Sequence, residues 1–595
     1  MTDAAAAGVA GPDRAARVLL ALAAVAVAFA AADTYVVVLA LPDMMAGVGL
    51  SADELQRAAP IVSGFLLGYV AVLPLVGRLA DLRGRLPVLL GSLVVFAIGS
   101  LVTAAAYDLP SMVAGRFLQG VGGGGLVPAT LALVADLYPV HRRGVPLGVV
   151  GAVQELGSVV GPLYGAVVLA VGSWRDIFWL NLAVGLVLAA ALRSTRRTSQ
   201  VDAGRSAGRT DWWSVAAGGA LLVCVLLVMV EPDPLTTDVT WGLAFLPVVG
   251  ESRWLSPLGL AVVVLLALLV VRSLLARNPL LDLRGWRRLG GQVDGWGAAL
   301  LSCCLGCVIV AFASADPEVQ VFSPAGPYLL AAAAVAAAGF WWRNRRARTP
   351  LIPHGSLAAV PAWGSLVVSF FVGSALIAAL VDIPIFARIT VHPDSQLAAA
   401  LVLVRFLVAL PVGAVLGGWL THRLPAGVVT AAGMLLSGAA FWEMSGWGLT
   451  TLESGWTTVP LVAAGLGFGL AIAPVNAALL ASTDLEVHGI ASALLVVARM
   501  VGMLVGISAL TTIGMRQYYA EQSDLPAPMD VCGDGVSRCS EFTLILREAG
   551  LTELQTIFLG AAACCVAAAV AALVLLRRAA TREVRTTRTT ATVLP

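Results

Sequence analysis

The sequence predicts an all-α, polytopic membrane protein built as two six-helix bundles with four further helices inserted between them. Three observations predict it. Of 595 residues, 59% are hydrophobic and only 12% charged, with a mean hydropathy of +0.91, roughly half the charge of an ordinary soluble domain. Apolar windows near the ~20 residues a spanning helix needs recur sixteen times, in groups of six, four and six, with Arg-rich breaks between the groups. The Arg residues collect on alternate loops, which is how cytoplasmic loops are marked.

The first group of windows lies at 18–40, 60–77, 87–106, 112–135, 145–170 and 177–192. Only Arg14 and Arg17 precede it and no small-residue cleavage site follows closely, so it opens on an uncleaved span. The middle group lies at 212–230, 256–276, 295–315 and 326–342, and the last at 360–381, 396–420, 426–446, 458–480, 489–513 and 555–576. With the amino terminus inside, most of the 37 basic residues, all Arg because no Lys occurs, fall on the cytoplasmic side. An odd middle group would invert the second half and lose this bias, so the total is even: sixteen, or fourteen as the alternative. The expected organisation is a bundle over 1–193, a four-helix linker over 194–358, a second bundle over 359–578 with an outer loop at 514–554, and a disordered cytoplasmic tail at 579–595. Localisation at the inner (plasma) membrane with both termini cytoplasmic follows.

The linker reads as a duplicated hairpin. Asp211-Trp212-Trp213 opens its first helix and Asp294-Gly295-Trp296 its third, each outer turn is acidic with Pro, and both exits carry Arg shortly before Pro. The two large halves are also related. Gly77-Arg78-Leu79-Ala80-Asp81 after span two has a degraded counterpart at Gly417 to Leu424, which keeps a Gly-x-Leu and an Arg but has lost the Asp.

The fifth window, Gly144 to Gly165, carries Glu155 at its middle, then Gly157, Gly161, Pro162 and Gly165. A carboxylate at bilayer depth must face protein or water and is functional by default. Small residues at this spacing admit a close neighbouring helix. Asp33 and Arg499 are likewise charged residues inside apolar spans. Buried charges of this kind are costly unless paired. Asp382 lies near an outer span end and reads as ordinary. Arg116 either snorkels to the interface or acts as a structural or relay cation.

At Gly77, Arg78, Asp81, Gly84 and Arg85 the chain resembles the major facilitator superfamily, whose loop after span two has the form G-x-L-a-D-r-x-G-r. Arg116-Phe117-Leu118-Gln119-Gly120 resembles its span-four motif, and Gly157, Gly161-Pro162 and Gly165 resemble the span-five motif of its exporter (drug/proton antiporter) branch. Trp174 to Asn181 is similar to the signature before span six in the branch with extra helices between the halves. Asp33-Thr34-Tyr35, Gln154-Glu155-Leu156-Gly157 and Val496 to Leu504 resemble the mycobacterial-type triacylglyceride exporters, which also pass as multidrug efflux proteins and work beside a periplasmic lipid-carrying lipoprotein. Two features depart from that family: two linker hairpins in place of one, and a short loop at Glu443 to Val459.

The resemblance implies a proton-coupled exporter of triacylglyceride-like lipids, or alternatively a multidrug/proton antiporter. Asp33 and Glu155 are then the proton-linked carboxylates and Arg499 their cation. Neutralising any of the three is expected to stop transport with the fold retained. The partners implied are a lipid or amphiphilic substrate, protons, membrane lipids and a periplasmic lipoprotein, with the protein itself a monomer. Without Lys there is no phosphate-binding Gly-Lys-Ser/Thr loop, and no nucleophile–base pair or metal-ligand spacing occurs within the spans. The chain is therefore expected to be no enzyme, to take no cofactor or metal and to bind no nucleic acid. Six Cys lie in apolar spans, whereas Cys532 and Cys539 fall in the outer loop, where a disulfide between them is expected.

Overall fold

The computed structural model describes residues 14–50, 55–198, 212–250, 252–275, 294–313, 323–391, 396–522 and 540–581. Cys532 and Cys539, and the tail beyond Thr581, lie outside the described residues.

Among those residues there is no strand, and sixteen long helices account for every predicted window. They are α1 (Arg14–Gly47), α2 (Leu55–Arg83), α3 (Arg85–Ala104), α4 (Leu109–Leu137), α5 (Gly144–Val171) and α6 (Trp174–Thr198). The linker supplies α7 (Trp212–Val230), α8 (Pro257–Leu275), α9 (Gly295–Ala313) and α10 (Gly326–Arg346). The second half is α11 (Val360–Thr390), α12 (Gln396–Leu420), α13 (Ala426–Met444), α14 (Thr458–Ala481), α15 (His488–Gln522) and α16 (Ser540–Leu575). Over their described residues, 14 of these are long and apolar enough to cross a membrane. The other two are α5, described only in part, and α10, whose end is the interfacial sequence WWRNRR.

The neighbour pattern repeats between the halves. The packed pairs α1·α5, α2·α4, α3·α4 and α3·α6 recur as α11·α15, α12·α14, α13·α14 and α13·α16. Glycines set these approaches, because a helix without a side chain at the contact lets a second backbone come close. A methyl carbon at Gly157 would stand 2.2 Å from the Ala28 carbonyl, and one at Gly161 2.5 Å from that of Ala32. The matching positions Gly502 and Gly506 meet Phe370 and Ser374 in the same way. The Gly122 to Gly125 run packs α4 against α2 and α3, and a methyl at Gly122 would meet the Phe96 amide nitrogen at 2.3 Å. Gly122→Ala is therefore expected to cost about 1–3 kcal/mol as overpacking, read as a lower melting temperature in detergent. An unchanged melt would contradict this packing.

The halves touch along two seams, α2 with α15 and α12 with α5, supplemented by α4·α15 and α5·α14. Their shared apolar core lies toward the Arg-rich end, where Ala477, Leu480, Ala493, Val496 and Val497 join the cluster of the first half. At the opposite end, the cluster around Met44, Trp174 and Phe178 draws only on the first half.

The two linker hairpins sit differently. In the first, α7 and α8 pack on one another, and the turn before α8 holds the α3–α4 loop, with Trp254 donating to the Tyr107 hydroxyl at 3.0 Å and Arg253 over the Tyr107 ring at 4.3 Å. In the second, α9 lies on α2 and α15, with the Ser302 hydroxyl donating to the Ala71 carbonyl at 2.6 Å. Asp294 opens α9 by accepting from the Gly297 amide and pairs with Arg343 of α10 at 3.0 Å. Leu351, just beyond α10, is fully buried against Ala298, Val487 and Ile490.

α15 and α16 are the longest helices, at 35 and 36 residues. At 1.5 Å per residue each is about 50 Å long, against ~30 Å of hydrocarbon. Both continue well past the apolar windows that predicted them, on either side of the outer loop.

Candidate functional site

Three groups of polar residues interrupt the apolar interior. The first is a latch at the Arg-rich end of the α2/α15 seam. α2 ends at Arg83, and Gly84, with φ of 89°, makes the sharp turn into α3. That is a backbone region where only Gly is unstrained. The turn brings Arg85 back over Asp81, to which it is hydrogen-bonded, and on to Asp136 at 3.1 Å and the Leu485 carbonyl at 3.3 Å. Asp81 accepts from the amides of Gly489 and Ile490 at 2.7 and 3.0 Å. Those amides belong to the first turn of α15, whose N–H groups lack intrahelical partners, so Asp81 caps a helix of the other half. Gly77 makes room for this, since a methyl there would stand 2.6 Å from the Gly489 carbonyl. Arg78 stands beside the latch with its buried Nε unpaired.

The second group lies within the first half. Arg116 is 1% exposed and does not snorkel. Its Nη1 donates to Asp33 Oδ2 at 2.8 Å and to Gln119 Oε1 at 2.8 Å, and its guanidinium lies 4.5 Å from the Phe65 ring centre. Asp33, itself 1% exposed, also accepts from Asn181 and, at 3.4 Å, from Gln119. Gln119 donates on to Ser100 at 2.9 Å, and Tyr164 stands over Asn181 at 3.1 Å. The hydrogen-bonding groups of this network come from α1, α3, α4, α5 and α6, and the Phe65 ring from α2, all within the first half.

The third group lies between the halves. Glu155 of α5 is 7% exposed and Arg499 of α15 is 9% exposed. Arg499 is the cation whose charge acts on Glu155, and both act on the Tyr69 phenol of α2. Beside them is a cavity of about 30 Å3 lined by Gly151, Gln154, Val372, Ile472, Asn476 and Arg499 among others. A space of that size holds a water or two, and its walls come from both halves and are mainly apolar.

The three charges expected to act together are thus divided. Glu155 feels the charge of Arg499, which lines the cavity together with Gln154, whereas Asp33 is ion-paired in its own half with Arg116. Gly157 and Gly161 hold α5 against α1, Gly165 is buried on the same helix, and α5 runs unbroken past Pro162. Gln119, Asn181 and Tyr69 were not singled out as site residues from the sequence. The available signal was that each places a hydrogen-bonding group inside an apolar span. Asp382, read as ordinary, is 4% exposed, and the charge acting on it is that of Glu553 on α16. No group of three or more His, Cys, Asp or Glu suited to a metal occurs among the described residues.

Comparison with known proteins bears on the family and the fold. The sequence model described as Major Facilitator Superfamily matches residues 23–343. A triacylglyceride transporter of Mycolicibacterium hassiacum is 35% identical over 85% of this chain and 82% of its own. The triacylglyceride transporter of Mycobacterium tuberculosis strain H37Rv is 34% identical over 84% and 83%. Among solved structures, the proton:xylose symporter XylE covers 93% of this chain and 94% of its own, with a TM-score of 0.50 at 13% identity, a likeness of fold alone.

Proposed function

The chain belongs to the major facilitator superfamily and is a multi-pass membrane transporter, and from that premise we propose that it is a proton-coupled exporter of triacylglyceride-like lipids. It works by alternating access at the inner (plasma) membrane with both termini cytoplasmic. The observation that carries the reading is that Glu155 and Arg499, buried on opposite halves, act on one another electrostatically beside the cavity that Arg499 lines. When Glu155 is charged, Arg499 draws α5 and α15 together. When Glu155 takes a proton, that attraction is gone and the halves can rock about their glycine-lined seams. Asp81 holds the Arg-rich end shut in the arrangement described, and Asp33 with Arg116 keeps the first half rigid while it moves. The chain itself performs no bond-making chemistry.

The relatives that share most of the chain are named for triacylglyceride transport. The extended α15 and α16 suit delivery of a lipid tail beyond the bilayer to a periplasmic lipid-carrying lipoprotein. Lipid analysis of a deletion strain tests the cargo. Triacylglyceride-like lipid should accumulate in the inner membrane and return to its normal level on complementation with the wild type but not with Glu155→Gln. Unchanged lipids together with new sensitivity to amphiphilic drugs would overturn the lipid reading in favour of a multidrug antiporter.

A further inference from the structure

The repeat relating the halves makes their two seams equivalent, yet they are closed differently. At the α2/α15 seam, Gly77 and Gly489 stand back to back, and Asp81, four residues after Gly77, caps α15. At the α5/α12 seam, Gly418 and Gly144 stand back to back, each leaving only 2.2 Å between a built methyl and the other's carbonyl. Four residues after Gly418 comes His422, so a base occupies the place of the acid. α5 starts without a side-chain cap.

More positive charge surrounds it. His141 and Arg142 form the turn before α5, and Arg423 follows His422. Burial first, and then the charge of His141 across the seam, hold His422 below the usual histidine range. Among the described residues no carboxylate forms an ion pair with His141, Arg142 or His422, and Asp136, at the end of α4, is paired with Arg85. On the membrane side the patch continues into apolar surface: Arg423 lies over the Trp419 ring at 4.5 Å, and Trp419, Leu416 and Val149 are 44%, 44% and 41% exposed.

We propose that this seam binds an anionic phospholipid. Its headgroup phosphate sits among Arg142, His422 and Arg423, and its acyl chains run along Trp419, Leu416 and Val149. The lipid supplies from outside the negative charge that Asp81 supplies at the other seam, and it ties α5 to α12 across the halves. A free phosphate would answer the cations but leave the apolar flank bare, which is why the ligand is a lipid. Guanidinium groups with phosphate oxygens make charge-assisted hydrogen bonds, roughly twice as strong as neutral ones, and the neutral His422 imidazole donates from one ring nitrogen.

The test reads bound lipid, not transport, so it stands apart from the cargo assignment. Full-length protein in detergent is titrated with phosphatidylglycerol or phosphatidylcholine of the same acyl chains and read by native mass spectrometry. Phosphatidylglycerol should be retained preferentially, and the triple variant Arg142→Gln, His422→Gln, Arg423→Gln should lose that preference, with affinity falling about tenfold, or about 1.4 kcal/mol. A second variant, His422→Asp, restores the acid of the other seam. It should shed phosphatidylglycerol yet melt at a higher temperature than the wild type once delipidated. Equal retention of both lipids, or wild-type retention by the triple variant, would overturn the proposal. So would His422→Asp behaving as wild type, or inorganic phosphate displacing the lipid and stabilising the protein to the same degree.

Discussion

Glu155→Gln is expected to cut coupled export sharply while the helix packing around it is retained. Glutamine keeps the shape of glutamate on the small-residue face of α5, so the contacts of Gly157 with Ala28 and Gly161 with Ala32 survive. What disappears is the charge that Arg499 answers, and with it the only way in which a proton changes the attraction between α5 and α15. Coupling free energies between such sites are typically 1–3 kcal/mol, so transport should fall by about one to two orders of magnitude. Proton uptake and lipid transfer by protein reconstituted into vesicles measure this directly. Removing the carboxylate also leaves Arg499 uncompensated, which lowers stability, so transport is compared per folded protein; a purely static role predicts that the rate so compared is unchanged. Near-wild-type transport with intact proton uptake would remove Glu155 from the mechanism.

Arg116→Met should have the largest effect on stability of any single change at these sites. It leaves the buried Asp33 carboxyl without its cation, with Gln119 and Asn181 as neutral donors. Breaking one side of a buried pair costs about 3–5 kcal/mol, whereas replacing both sides by neutral groups can cost much less. Asp33→Asn combined with Arg116→Met should therefore be more stable than Arg116→Met alone, a sign that thermal melts of the three proteins in one detergent would reveal. If Arg116→Met melts with the wild type, the Asp33–Arg116 contact is not holding the first half together. Asp33 neutralisation consequently carries a folding cost, and loss of transport in Asp33→Asn has to be normalised to folded protein.

The sequence made the helices legible because a spanning helix must be apolar over its whole length, and nothing else in the chain is. All sixteen windows became helices. The polar stretch Gly514 to Gln522 was legible as a continuation of its helix and Ile545 to Leu554 as a returning one; α15 does reach Gln522, and α16 begins earlier still, at Ser540, because outside the hydrocarbon a helix can be polar. The latch was legible through Gly77, Asp81 and Arg85, whose roles depend on residues close together in sequence. The division of Asp33 from Glu155 was not. A span that is apolar on all sides carries no periodicity to say which face meets which neighbour, so Asp33 could have pointed at Arg499 as readily as at Arg116. The repeated glycine contacts do fix such faces: counting back three residues from Gly157 and from Gly502 reaches Gln154 and Arg499, both at the cavity.

The position of α9 has a consequence for the direction in which work must be done. This helix is bonded to α2 through Ser302 and shares the buried cluster of Leu351 with Val487 and Ile490 of the other half. Parting the α2/α15 seam therefore means breaking the Asp81 cap and wetting those apolar side chains, each worth about 1.5–3 kcal/mol when fully buried. The inserted hairpin acts as ballast on one side of the cycle. In the arrangement described the Arg-rich end is closed, so in the proposed alternating-access cycle the stroke that reopens it is the uphill one, and the one on which an external source of free energy has to be expended.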